Sequence, residues 1–146
     1  MSLPAWSPRG GSGGIRVSSP PEAAEPAEGS LPDRVIDVTP TFVIASALAT
    51  RDFQDVHHDR DRAVTRGARD IFVNILTTTG LVQRYVSAWA PDAVVRAVSI
   101  RLGVPCHAGE TLTLSGHALD EEVVAVTGRC SLGDHVTGTV RIERGR

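Results

Sequence analysis

Between Ile71 and Trp89 the chain carries a long apolar-patterned segment, closed two residues later by Pro91. Ile71, Ile75, Leu76, Thr79, Val82, Val86 and Trp89 recur at three- and four-residue spacing, the period of an α-helix. Phe72, Leu81 and Tyr85 add apolar surface on other faces. A helix apolar on most sides belongs at the centre of its fold. Asp70 stands where an N-cap would, and Pro91 cannot continue the helix.

The chain beyond this helix reads as strand. Ala93 to Val104 is rich in Val, Ile and Leu, and Thr111 to His117 alternates well. Glu122 to Cys130 and His135 to Arg144 make two more strands, joined by a Leu132-Gly133-Asp134 turn. Pro105 to Glu110 is a connection with Gly109 as its turn residue. Consecutive strands with short turns imply an antiparallel sheet. One buried helix leading into a strand meander predicts an α+β fold with the sheet wrapped around the helix.

Ahead of the helix, residues 1–30 are rich in Gly, Ser, Pro, Ala and Glu. Such a segment cannot bury enough apolar surface to offset its ordering entropy, so a disordered leader is expected. Residues 31–146 would then form one domain. Val35 to Val38 reads as a short strand. Thr39-Pro40 reads as a helix start, with Thr39 as N-cap, Pro40 in the first turn, and the helix running to about Thr50. Arg51 to Arg69 is polar and turn-like.

Composition excludes several function classes. The net charge of −2 makes no general case for nucleic-acid binding. No lysine is present, which rules out a lysine Schiff base. Cys106 and Cys130 have no CxxC pairing, so they read as free thiols rather than a zinc site or a disulfide. No apolar run approaches a membrane span, and the first residues lack the features of a signal peptide. A reducing cytoplasm is the expected compartment.

The polar turn carries Asp52-Phe53-Gln54-Asp55-Val56-His57, with His58 and Asp59 next in line. It sets a carboxylate and an imidazole five residues apart, just ahead of a buried helix. Such a pair can hold and activate one water. The bland alternative is a helix-end aspartate beside a surface-loop histidine. His58, Asp59 and Asp61 could be read as cation ligands, but Arg60 and Arg62 would repel a metal, and none is expected. Arg60, Arg62, Arg66 and Arg69 read first as a solvated, charge-balanced run. Thr77, Thr78 and Thr79 read as mid-helix packing residues with hydroxyls bonded back to the helix. Tyr85 and Trp89 read as core. His107, His117 and His135 receive no role.

The order of elements, the D-x-x-x-V-H text and the Gly109-Glu110-Thr111-Leu112 turn together resemble the MaoC-like (R)-specific enoyl-CoA hydratases, which have a hot-dog fold. The resemblance covers about residues 33–144. The text from Arg51 to Asp59 with that from Asp70 to Leu76 is similar to the small catalytic subunit of actinobacterial steroid side-chain hydratases. Departures are Gln54 and Asp55 where the family has Asn and Pro, and Val73-Asn74 where it has a His-Gly pair.

The resemblance implies hydration of a trans-2-enoyl-CoA to a 3-hydroxyacyl-CoA, here a steroid (cholesterol) side-chain intermediate. Asp52 and His57 would be the acid/base pair, and the backbone amide of Asn74 the donor to the thioester oxygen. Gln54, Arg62, Arg66 and Arg101 are candidates for binding substrate or coenzyme A. No cofactor is implied, since coenzyme A is part of the substrate. The expected partner is a second MaoC-like chain, or a second copy of this one. A homodimeric hydratase of fatty enoyl-CoA and a non-catalytic partner subunit are the rival readings.

Overall fold

A computed structural model of the chain describes residues 29–145. Most of the expected leader lies outside the described residues. The elements run β1 (Ser30–Val38), α1 (Pro40–Ala49), a 3-10 turn (Asp55–His57), α2 (Arg60–Thr65), α3 (Ile75–Trp89), β2 (Ala93–Leu102), β3 (Glu110–Ala118), β4 (Val123–Cys130) and β5 (Gly133–Arg144). The strands form a five-stranded sheet of order β1-β3-β4-β5-β2, antiparallel at every pairing. α3 touches both edge strands, β1 and β2, and also β5, so the sheet curls around it. The expected α+β arrangement is observed.

Alternation explains which strand residues build the core. Leu112 and Leu114 on β3, Val124 and Val126 on β4, and Val140 and Ile142 on β5 all point inward and are buried. Each such side chain contributes about 1.5–3 kcal/mol relative to exposure. Val82, Tyr85 and Val86 of α3 face them from the helix side. Gly109 and Gly133 adopt the left-handed conformation their turns require, at φ of 89° and 125°.

The start of α3 differs from the expectation. Asp70 is not its N-cap. Asn74 is, accepting from the Thr77 amide at 2.8 Å. Ile71 to Val73 run extended instead: the Phe72 amide donates to Val56 O, the Val73 amide to Cys106 O, and Phe72 bridges His107. Ile71 is buried because this segment is threaded through the core, so its helical spacing from Ile75 is coincidental. Ile75 and Leu76 are in turn about half exposed, at 51% and 54%. The polar stretch Arg51 to Arg69 is also more ordered than a turn, since Asp59 caps α2 by accepting from the Arg62 amide at 3.0 Å.

Candidate active site

The site begins where α1 ends. The Arg51 amide donates to Leu48 O at 3.1 Å and the Asp52 amide to Ala47 O at 2.9 Å. This is the paired closure of a Schellman motif, with Arg51 in the left-handed position at φ 56°. A non-glycine residue there costs roughly 1 kcal/mol or more. The strained turn brings Asp52 out of the helix direction, and the 3-10 turn after it swings His57 back towards it.

His57 is buried, and its Nδ1 lies 2.8 Å from Phe72 O. A carbonyl only accepts, so Nδ1 carries the hydrogen. In the neutral ring Nε2 then carries a lone pair, and it faces Asp52 Oδ2 at 3.3 Å. Two acceptors side by side call for a donor with two hydrogens, which a water molecule supplies. The Phe72 ring meets the imidazole edge-on at 5.0 Å and fixes its plane from the side. Asp52 Oδ1 also accepts weakly from the Gln54 amide at 3.4 Å.

Asn74 joins this turn to α3. Its Nδ2 donates to Thr50 Oγ1 at 2.8 Å, and Thr50 closes the last turn of α1 by donating to Ser46 O. One side chain therefore holds together the end of α1, from which Asp52 projects, and the start of α3. A cap of this kind is worth about 1 kcal/mol to its helix. The Asn74 amide has no acceptor among the described residues, and it stands at the positive end of a 15-residue helix.

The remaining candidates are less closely grouped. The Gln54 side chain is exposed beside Asp52, and Arg62 is exposed on α2. Arg66 is engaged by Asp55 at 3.2 Å. Arg101 lies on the edge strand β2, paired in register with Thr137, and no hydrogen bond or ion pair among the described residues ties it to the turn that holds Asp52 and His57. His58 is exposed. No group of three potential metal ligands occurs among the described residues.

Sequence reasoning missed three contributors. Phe72 acts through its carbonyl, which no residue pattern reports. Thr50 and Thr78 use hydroxyls whose partners are distant in sequence, Asn74 and His135. The threonines of α3 also lie in its first turns rather than mid-helix. Thr78 and Thr79 do approach carbonyls one turn back, Asn74 O at 3.1 Å and Ile75 O at 2.8 Å. Tyr85 is core as expected, and Trp89 packs against the core, partly buried, with the Arg144 guanidinium over its ring at 5.2 Å.

A cavity of about 210 Å³ lies between α1, α3, β1 and β3, lined by Ile36, Phe42, Leu81 and Tyr85 among others. Neither Asp52 nor His57 lines it. Leu48 on α1, Phe53 next to Asp52 in the chain, and Ile75 and Leu76 at the start of α3 are exposed apolar residues on the elements that carry Asp52 and Asn74.

No family model matches the chain. The chain is 56% identical over 117 residues to the 3-oxo-4,17-pregnadiene-20-carboxyl-CoA hydratase beta subunit of Mycobacterium tuberculosis, across 77% of this chain and 91% of that protein. It superposes on a chain of the ChsH1-ChsH2 complex from Mycobacterium tuberculosis with a TM-score of 0.75 and 55% identity, covering 80% of this chain and 95% of that one. A MaoC-like dehydratase shares the fold at a TM-score of 0.70 and 22% identity, over 80% of this chain and 39% of that one. The hot-dog sheet around α3 and the extensive identity to a hydratase subunit agree, and the chain belongs to the MaoC-like hydratase family.

Proposed function

We propose that this chain is the catalytic subunit of a heteromeric hydratase that adds water to a steroid side-chain trans-2-enoyl-CoA. One observation carries the reading: the Asp52 carboxylate facing His57 Nε2 at 3.3 Å, with Nδ1 tied to Phe72 O. A water held by both acceptors has its oxygen lone pair free to attack the β-carbon. As the C–O bond forms, the water gives up one proton to the pair. The π electrons of the alkene move towards the α-carbon and the thioester oxygen. The Asn74 amide stabilises the charge gathering on that oxygen. A proton returns from the pair to the α-carbon and completes the 3-hydroxyacyl-CoA. Asp52 and His57 act as one coupled acid/base unit. Both added groups come from water, so no cofactor takes part.

The exposed apolar rim supports a partner. Leu48, Phe53, Ile75 and Leu76 are each more than half exposed and lie on the elements that carry the site, which must exclude water to work. Among the described residues β2 has a neighbour only on its β5 side, and it shows Val94 and Leu102 to solvent. A second MaoC-like chain laid along that edge would extend the sheet and cover the rim. The relative's name supplies the substrate class. Among the described residues no helix is long and apolar enough to cross a membrane, and the reading places the reaction in the cytoplasm.

Loss of the enoyl-thioester absorbance tests this, with a steroid side-chain and a short fatty enoyl-CoA, for the chain alone and with a MaoC-like partner. Steroid turnover that needs the partner and is lost in Asp52→Asn is expected. Turnover of the fatty substrate by the chain alone would favour a homodimeric fatty hydratase. No turnover in any combination would leave a scaffold subunit.

A further inference from the structure

Behind Asn74 lies a buried polar chain that the hydration chemistry does not itself use. His135, on β5, is 2% exposed. Its Nδ1 lies 2.8 Å from Val104 O, which can only accept, so the ring hydrogen sits on Nδ1. Burial disfavours the charged ring and moves its pKa below 6.5. Nε2 is then an acceptor, and Thr78 Oγ1 at 2.9 Å must donate to it. Thr78 is itself 1% exposed and sits in the first turn of α3.

A hydroxyl has one hydrogen. Because Thr78 gives it to His135, the 3.1 Å approach of Thr78 Oγ1 to Asn74 O carries no donor. Asn74 O keeps the Thr78 amide, at 3.0 Å, as its helical partner. His135 thus pulls the Thr78 hydroxyl away from a carbonyl it would otherwise bond. The same imidazole holds Val104, two residues from Cys106, whose carbonyl receives the Val73 amide. The segment Phe72–Asn74 is therefore gripped on one side through Cys106 and on the other through Thr78, and both grips meet at His135.

We propose that Thr78 and His135 are positioning residues of the reaction, whose buried hydrogen bond fixes the backbone on both sides of the Val73–Asn74 peptide and so aims the Asn74 amide at the thioester oxygen. This rests on the hydratase reading above. Neither residue touches substrate. An oxyanion donor is effective only when its direction is set before the charge develops.

Asn74 is the only asparagine of the chain. Labelling the full chain with ¹⁵N-asparagine therefore gives one backbone amide resonance, readable in the complex with an unlabelled MaoC-like partner. Thr78→Val keeps the shape and removes the donor. Thr78→Ser keeps the donor, and His135→Phe removes the acceptor. Thr78→Val and His135→Phe are expected to move the Asn74 resonance and to lower kcat roughly tenfold, with KM changed less than about twofold. Thr78→Ser is expected to retain both wild-type values. An unmoved Asn74 resonance in Thr78→Val would overturn the proposal, as would an equal kcat loss in the Ser variant. A moved resonance with an inactive wild-type complex would sink the hydratase reading and leave the coupling standing.

Discussion

His57 and His135 begin alike and end differently. Each ring is buried, and each commits Nδ1 to a backbone carbonyl at 2.8 Å. In each neutral ring the lone pair is therefore on Nε2. His135 directs it at a hydroxyl that can donate, and the pair is satisfied. His57 turns Nε2 instead towards a carboxylate, Asp52 Oδ2 at 3.3 Å, with which it can share a proton. A buried imidazole beside a carboxylate can pass a proton, whereas one held by a hydroxyl is fixed in place. Identical anchoring with an opposite partner separates the histidine held in the core from the one proposed to react.

Removing the carboxylate breaks the contrast most sharply. Asp52→Asn places a donor opposite Nε2, making His57 resemble His135. Turnover is expected to fall about 10²- to 10⁴-fold, measured as kcat on the enoyl thioester. Activity within tenfold of wild type would mean that the pair is not the catalytic unit. The converse change tests the satisfied member. His135→Phe leaves the Thr78 hydroxyl and Val104 carbonyl without their partner, and denaturant unfolding should lose about 1–3 kcal/mol.

Acid should sharpen the difference between the satisfied ring and the others. The pKa of His135 lies below 6.5 through burial, and that of His107 through burial and the nearby Arg69, with Glu110 and Asp70 opposing. The unfolded chain binds those protons first. Stability should therefore be full above pH 6.5 and fall as pH drops from there towards the lowered folded values. His135→Phe should flatten this slope in a series of unfolding midpoints against pH, and an unchanged slope would assign it elsewhere. The smallest effect is expected at the rim. The Arg66–Asp55 ion pair is partly exposed on both sides, so Arg66→Ala should cost only about 0.2–1 kcal/mol in the same unfolding assay. A larger loss would show the loop to be more rigidly coupled to the core than its exposure implies.

The sheet is legible in the sequence because period-two burial leaves a plain mark, as in Leu112 and Leu114 against Thr111 and Thr113. Asp52 and His57 are legible as a spaced pair joined to a family resemblance. The beginning of α3 is not. Ile71 and Ile75 have helical spacing, but the first is buried in an extended segment and the second opens the helix half exposed. Hydrogen bonds to Val56 and Cys106, both distant in sequence, decide that boundary. His135 is silent in the sequence for a related reason. A lone histidine in a strand says nothing of the threonine 57 positions earlier that it will meet.

The left-handed Arg51 has a thermal consequence. The direction of Asp52 is fixed by the closing bonds of one ten-residue helix and by a residue in a conformation it would leave if released. Helix ends open at lower free energy than sheet cores. The proposed catalytic carboxylate is thus held by a part of the molecule expected to fray early, although His57 is buried. On slow heating, hydration should cease some degrees before the core melts, and Arg51→Gly should move the two temperatures relative to each other. Coincident loss of activity and of core structure would show instead that α1 and the sheet open as one unit.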